Sequence, residues 1–201
     1  MNKFFKKGLT MIELMAVVTM IIIVTGVVFA NYGTGQESMA LERSSQKLYQ
    51  DLRFAVSNAM SGIEGNYGNG IHFDITTDES KKKYHIFKNS VNNAHVFNAS
   101  SSGSTNIFPS KTNDIADWVK LEDGVKILYL RDAVGTSQTT LDIFFRSPYP
   151  TVFLNGNNNY YQNSTDCAPR AECTVVIMLS TNDETRTKTI TINNAGMINL
   201  N

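Results

Sequence analysis

Cysteine, proline, histidine and tryptophan are all scarce in this chain of 201 residues: two, four, three and one, respectively, while 18 basic residues are balanced by 18 acidic ones. Each scarcity excludes something. With a formal net charge of zero and scattered lysines and arginines, there is no electrostatic footprint for nucleic acid or for an anionic membrane surface, and no nucleic-acid partner is expected. The densest basic cluster, Lys81-Lys82-Lys83, falls between two expected strands and reads as a solvated turn, and the tail from Ile190 to Asn201 has no basic residue at all. His72, His85 and His95 lack the short spacing of a zinc site, although His72 and His85 lie on neighbouring expected strands, so neither a metal nor another cofactor is expected. No serine sits in a nucleophile elbow such as G-x-S-x-G, and no catalytic residue is assigned: the expected protein is not an enzyme. Asp114, Asp117, Glu122 and Asp123 read as a solvated turn before a strand at Val125, with Trp118 anchoring the core.

Cys167 and Cys173 enclose only five residues. A disulfide closing so small a ring contributes roughly 2 to 2.5 kcal/mol and suits an oxidising compartment. Two free thiols are the alternative.

What the chain has in abundance is aliphatic sequence at one end. After Lys3, Lys6 and Lys7 comes an almost unbroken apolar run from Leu9 to Ala30; as a helix it is about 33 Å long, enough to cross a hydrocarbon core of about 30 Å, with the lysines marking the cytoplasmic end. A secretory signal peptide would be removed, whereas an anchor would stay. Val28-Phe29-Ala30 meets the small-x-small cleavage pattern only in part, and the run is long for that role. Glu13 lies inside the run, where an acidic side chain costs about 2.5 to 3.5 kcal/mol near mid-bilayer and less toward the interface. Such a cost calls for a partner.

The stretch Lys6-Lys7-Gly8-Leu9-Thr10-Met11-Ile12-Glu13-Leu14 resembles the processing site of type IV prepilins and type II secretion pseudopilins. The resemblance implies cleavage after Gly8 by the prepilin peptidase, a methylated mature N-terminus at Leu9, and a role in assembly for Glu13, whose partner would be the cationic amine of a neighbouring subunit. Leu9 replaces the commoner phenylalanine, and Ala30 stands where many relatives have proline. Gly26 is then the weak point of the helix, since glycine costs about 1 kcal/mol relative to alanine.

Beyond Gln36 the pattern turns amphipathic, with Leu41, Leu48, Leu52, Ala55, Val56, Ala59 and Ile63 at helical spacings and polar residues between them. This helix is expected to end at Ser61-Gly62, before Gly65, Gly68, Asn69 and Gly70. Strands are then expected at Ile71 to Ile75, Lys83 to Lys88, Val91 to Phe97, Val119 to Leu121, Val125 to Leu130, Leu141 to Phe145, Thr151 to Leu154, Thr174 to Leu179, Lys188 to Ile192 and Met197 to Leu200. Ser100 to Asn106 and Asn155 to Thr165 read as exposed loops, the second carrying Tyr160 and Tyr161 as a contact patch or a loop base. A hairpin turn is expected at Asn194 to Gly196. One long helix followed by many strands implies an α+β fold: a pilin-like N-terminal helix, half transmembrane and half amphipathic, packed on an antiparallel sheet.

Four segments follow: a leader at 1–8, a transmembrane or filament-core helix at 9–30, its amphipathic continuation at 31–62, and a β-rich head at 63–201. Ser45 to Ala55 with Ser57-Asn58-Ala59, then Phe144-Phe145-Arg146-Ser147-Pro148 and the closing Lys188 to Gly196, also resemble the H-type minor pseudopilins and related minor pilins. The resemblance implies a non-enzymatic structural subunit of a type IV pilus or type II secretion filament. Its partners would be other pilin or pseudopilin subunits, prepilin peptidase and the inner-membrane assembly platform. The subunit would begin as a single-pass inner-membrane protein with its head outside. The alternative is a membrane-anchored surface binding module, either an adhesin or a DNA-uptake minor pilin.

Overall fold

A computed structural model describes residues 10–61, 68–89, 104–106, 118–146, 151–156, 159–161 and 173–201. The chain divides into two compact units, Met1–Glu37 and Ser38–Asn201. Helix α1, Met11–Met60, begins in the first unit and ends in the second.

In the first unit, Thr10 caps the helix. Its hydroxyl and its carbonyl both accept from the Glu13 N–H, at 3.3 and 3.1 Å, so Thr10-Met11-Ile12-Glu13 has the spacing of a capping box. The window Met11–Phe29 has a mean hydropathy of 2.5 and is fully exposed, which makes it long and apolar enough to cross a membrane. Thr19 and Thr25 turn their hydroxyls back onto the carbonyls of Met15 and Ile21, at 2.8 and 2.7 Å, so neither asks anything of its surroundings.

The second unit is built from the rest of α1 and two antiparallel sheets, where the sequence pattern suggested one. In chain order the strands are β1 Gly68–Asp74, β2 Lys83–Asn89, β3 Ser104–Asn106, β4 Trp118–Lys120, β5 Val125–Arg131, β6 Ser137–Gln138, β7 Thr140–Arg146, β8 Thr151–Gly156, β9 Asn159–Tyr161, β10 Thr174–Thr181, β11 Thr187–Asn193 and β12 Ile198–Leu200. The larger sheet runs β3-β2-β1-β7-β8-β9, with β4 also on β2; the smaller runs β12-β11-β10-β5-β6.

Alternation sorts the side chains of the larger sheet. Ile71, Phe73, Tyr84, Ile86, Leu141, Ile143, Phe145, Val152 and Leu154 share one core with Val125, Ile127, Leu130, Val175, Ile177, Leu179, Ile190 and Ile192 of the smaller sheet. Leu41, Leu48, Leu52, Ala55 and Ala59 of α1 join the same core, all at positions that the helical spacing had selected. A fully buried leucine contributes about 1.5 to 3 kcal/mol, so these five residues, with Ala40, fasten this part of α1 to the sheets. Polar clasps add direction. Arg43 grips Glu122 with two nitrogens, Nε to Oε1 at 2.8 Å and Nη2 to Oε2 at 2.6 Å, holding that carboxyl below its usual range. The Glu122 N–H donates to Ser44 Oγ at 3.1 Å. The turn expected to be merely solvated is therefore fixed to α1.

On the opposite face of the larger sheet Phe87, Phe144 and Phe153 form a second buried cluster. It accounts for β1 starting at Gly68, earlier than expected. A Cβ on Gly70 would stand 2.6 Å from Phe87 Cζ and 2.8 Å from the Ile143 carbonyl, so those glycines belong to a strand that rings and backbone approach closely, not to a turn.

Two expected loops also contain strands. Ser104–Asn106 pairs with β2, and β8 and β9 pair within the stretch 155–165. In both places polar sequence is held by ladder hydrogen bonds, which need no apolar side chain. The hairpin at Asn194 to Gly196 is present, its backbone N–H groups at Ala195 and Met197 donating to Asn193 Oδ1. The expected strand at 91–97 lies outside the described residues, as do Asp114 and Asp117.

Candidate functional site

The residues singled out for function fall in separate places. Gly8 and Leu9 lie outside the described residues. Glu13 occupies the first turn of α1, where a carboxylate meets the positive end of the helix dipole at the third position after the Thr10 cap. The T-x-x-E spacing of this cap is a mark in the sequence. The helix runs through Gly26 without interruption, and a Cβ there would meet nothing within 4 Å. Among the described residues, its lack of a side chain therefore relieves no crowding.

Cys173 is fully buried at the start of β10 and disulfide-bonded. Cys167 lies outside the described residues. The Cys173 carbonyl accepts from the Asn194 N–H at 3.1 Å, tying the bonded segment to the β11–β12 turn.

The densest polar chemistry is on the outer face of the larger sheet. Cross-strand register aligns Trp118, His85, His72 and Asp142 on β4, β2, β1 and β7. His72 Nδ1 and Asp142 Oδ1 are 2.6 Å apart. Trp118 meets the rings of His85 and His72 edge-on at centroid distances of 5.5 and 5.9 Å, and Lys83 Nζ lies 4.9 Å from the centre of the indole ring. Trp118 therefore does not anchor the main core, as expected from sequence; it caps a polar row on the other side of the sheet. The row sets a carboxylate beside an imidazole, and His85 and Asp142 are buried within it. Among the described residues no three of His, Cys, Asp and Glu gather as metal ligands.

The lysine triplet is engaged residue by residue. Lys81 pairs with Asp78, Lys82 with Glu79, and Lys83 covers Trp118. Tyr160 and Tyr161 belong to β9.

The chain matches no protein-family profile, no curated protein and no solved structure.

Proposed function

We propose that this chain is a non-enzymatic subunit of a type IV pilus or type II secretion filament, cut after Gly8 by prepilin peptidase and assembled through α1. The observation that carries this reading is the helix Met11–Phe29, apolar and exposed along its whole length, while the core of the second unit begins only at Ala40. A helix of that kind needs lipid or other helices around it. Glu13 is the single ionisable residue in that window, and Gly8-Leu9 stands immediately upstream in the prepilin pattern. The lysines of the leader would keep the N-terminus in the cytoplasm, and the bonded Cys173 suits a head on the oxidising side.

In this reading the subunit waits in the inner membrane and is then extracted, so that α1 exchanges lipid for neighbouring helices in the filament core. Glu13 loses its aqueous contact in both settings, and the amine of an adjacent Leu9 would be its counter-charge there.

Mass spectrometry of the mature chain from cells with the assembly machinery tests the proposal. A methylated N-terminus at Leu9, with Gly8→Ala retaining its leader, is the expected result; a mature start near Asn31 would sink it. The same exposed helix would also serve a monomeric surface binding module. Cysteine pairs engineered along Leu9 to Ala30 separate the two, because only a filament subunit crosslinks to its neighbours through this segment.

A further inference from the structure

Among the described residues the smaller sheet ends at β12, and no strand pairs with its outer edge. Asn201 exchanges both main-chain hydrogen bonds with Thr189, at 2.9 and 3.0 Å, and the Asn193 N–H donates to the Met197 carbonyl at 3.1 Å. Antiparallel alternation then directs the main chain of Asn199 toward Thr191, and that of Ile198 and Leu200 away from β11. Among the described residues, no main-chain group meets these outward N–H and C=O groups.

Beside the edge lies a groove bordered by α1. One cavity of about 400 Å³ is lined by Tyr49, Arg53, Val56, Met60, Gly196 and Ile198 among others. A second, of about 510 Å³, shares Tyr49 and Ile198 with it and reaches Asn201. Among the described residues no acidic side chain lines either one. The Arg53 guanidinium lies over the Tyr49 ring at 5.7 Å, and among the described residues no carboxylate pairs with it. A guanidinium beside an aromatic ring still has N–H groups to offer a carboxylate.

We infer that this edge takes up an extended segment of a partner protein as a sixth strand beside β12. An acidic side chain of that segment meets Arg53, and an apolar one two residues away packs on Val56 and Met60. Residues two apart in a strand share a face, so an apolar-x-acidic segment presents both groups to α1. Main-chain bonds to Ile198 and Leu200 supply affinity that does not depend on sequence, and the side-chain contacts supply selectivity. The shortness of β12 fits this arrangement: two outward residues are too few to capture strands indiscriminately, so the groove must complete the site. The inference does not rest on the filament reading.

The test uses the full-length chain, isotope-labelled in detergent micelles, with the acetylated and amidated peptide Thr-Val-Thr-Glu-Thr-Val-Thr as probe. Bound peptide is expected to slow amide hydrogen exchange at both Ile198 and Leu200. Arg53→Glu should weaken binding by about tenfold or more, equivalent to about 1.4 kcal/mol. Leu200→Pro removes an outward N–H and no ladder bond, although it trims a side chain packed on the core, and should lose binding in a chain that still folds. If that variant does not fold, the same peptide with alternate amides N-methylated replaces it and is expected not to bind. Unchanged exchange at Ile198 and Leu200 at millimolar peptide, or equal protection by the N-methylated peptide, overturns strand addition. Equal binding of a version with Lys in place of Glu overturns the role of Arg53.

Discussion

The Tyr84 hydroxyl on β2 donates to the Asp51 carboxylate on α1 at 2.5 Å, tying the helix to the larger sheet from within their packing. Tyr84 is fully buried and Asp51 half-buried. Burial pushes the Asp51 carboxyl up, by more than the Tyr84 bond and the Lys47 charge pull it down. Burial also pushes the Tyr84 phenol well above its ordinary range, and the Asp51 charge and hydrogen bond add to that.

Both shifts have the same sign for stability. A group that holds its proton more tightly when folded contributes fully below its unfolded pKa and loses that contribution as the pH rises through the folded value. The head should therefore lose stability through Asp51 as the pH climbs above about 4, and through Tyr84 above about 10. Asp51→Asn keeps an acceptor for Tyr84 and removes the first dependence. Its urea midpoint should gain on that of the parent between acid and neutral pH. Tyr84→Phe deprives a half-buried carboxylate of its donor and should cost about 1 to 2 kcal/mol.

Substitution can separate the proposed assembly role of Glu13 from its place in the first turn of α1. Glu13→Ala is expected to be processed yet to assemble poorly. Glu13→Gln retains the capping-box partner of Thr10 and removes only the charge, and should fail in assembly just as Ala does, read as the amount of subunit in sheared filaments. A Gln variant that assembles like the parent would assign Glu13 to the helix cap alone.

The two glycines Gly70 and Gly26 should respond oppositely to alanine. Gly70→Ala drives a methyl group into Phe87 and the Ile143 carbonyl, and is expected to destabilise the head by about 1 to 3 kcal/mol in chemical denaturation. Gly26→Ala meets no atom and improves helix propensity by about 1 kcal/mol. An assembly defect in that variant, with helix content unchanged by circular dichroism, would place the need for Gly26 between subunits.

Reduction should weaken the head. Loss of the bond at buried Cys173 is expected to lower stability by roughly 2 to 2.5 kcal/mol. Cys173→Ser should have the urea midpoint of the reduced parent and be insensitive to reductant.

The helical face of Leu41, Leu48, Leu52, Ala55 and Ala59 was legible because one helix buries one stripe, and the spacing of that stripe is local. The strands with alternating apolar residues were legible for the same reason. Ser104–Asn106 and Asn159–Tyr161 were not: their strand conformation comes from ladder bonds to β2 and β8, which leave no mark in hydrophobicity. The Thr10 cap was present in the sequence as a spacing, and the structure shows its hydroxyl accepting from the Glu13 N–H.

The sequence alone determined the exposed apolar helix, the amphipathic stripe that follows it, and the α+β order, because each depends on periodicities of neighbouring residues. Only the tertiary structure decided that the strands form two sheets, that Gly68 and Gly70 serve close ring approach, and that Trp118 sits with His72 and Asp142 away from the main core. It also decided that the main-chain groups of Ile198 and Leu200 point away from β11, with Ile198 lining the same cavity as Arg53. Those relations join residues tens of positions apart, and cross-strand register, which a single chain's local pattern does not encode, sets which of them meet.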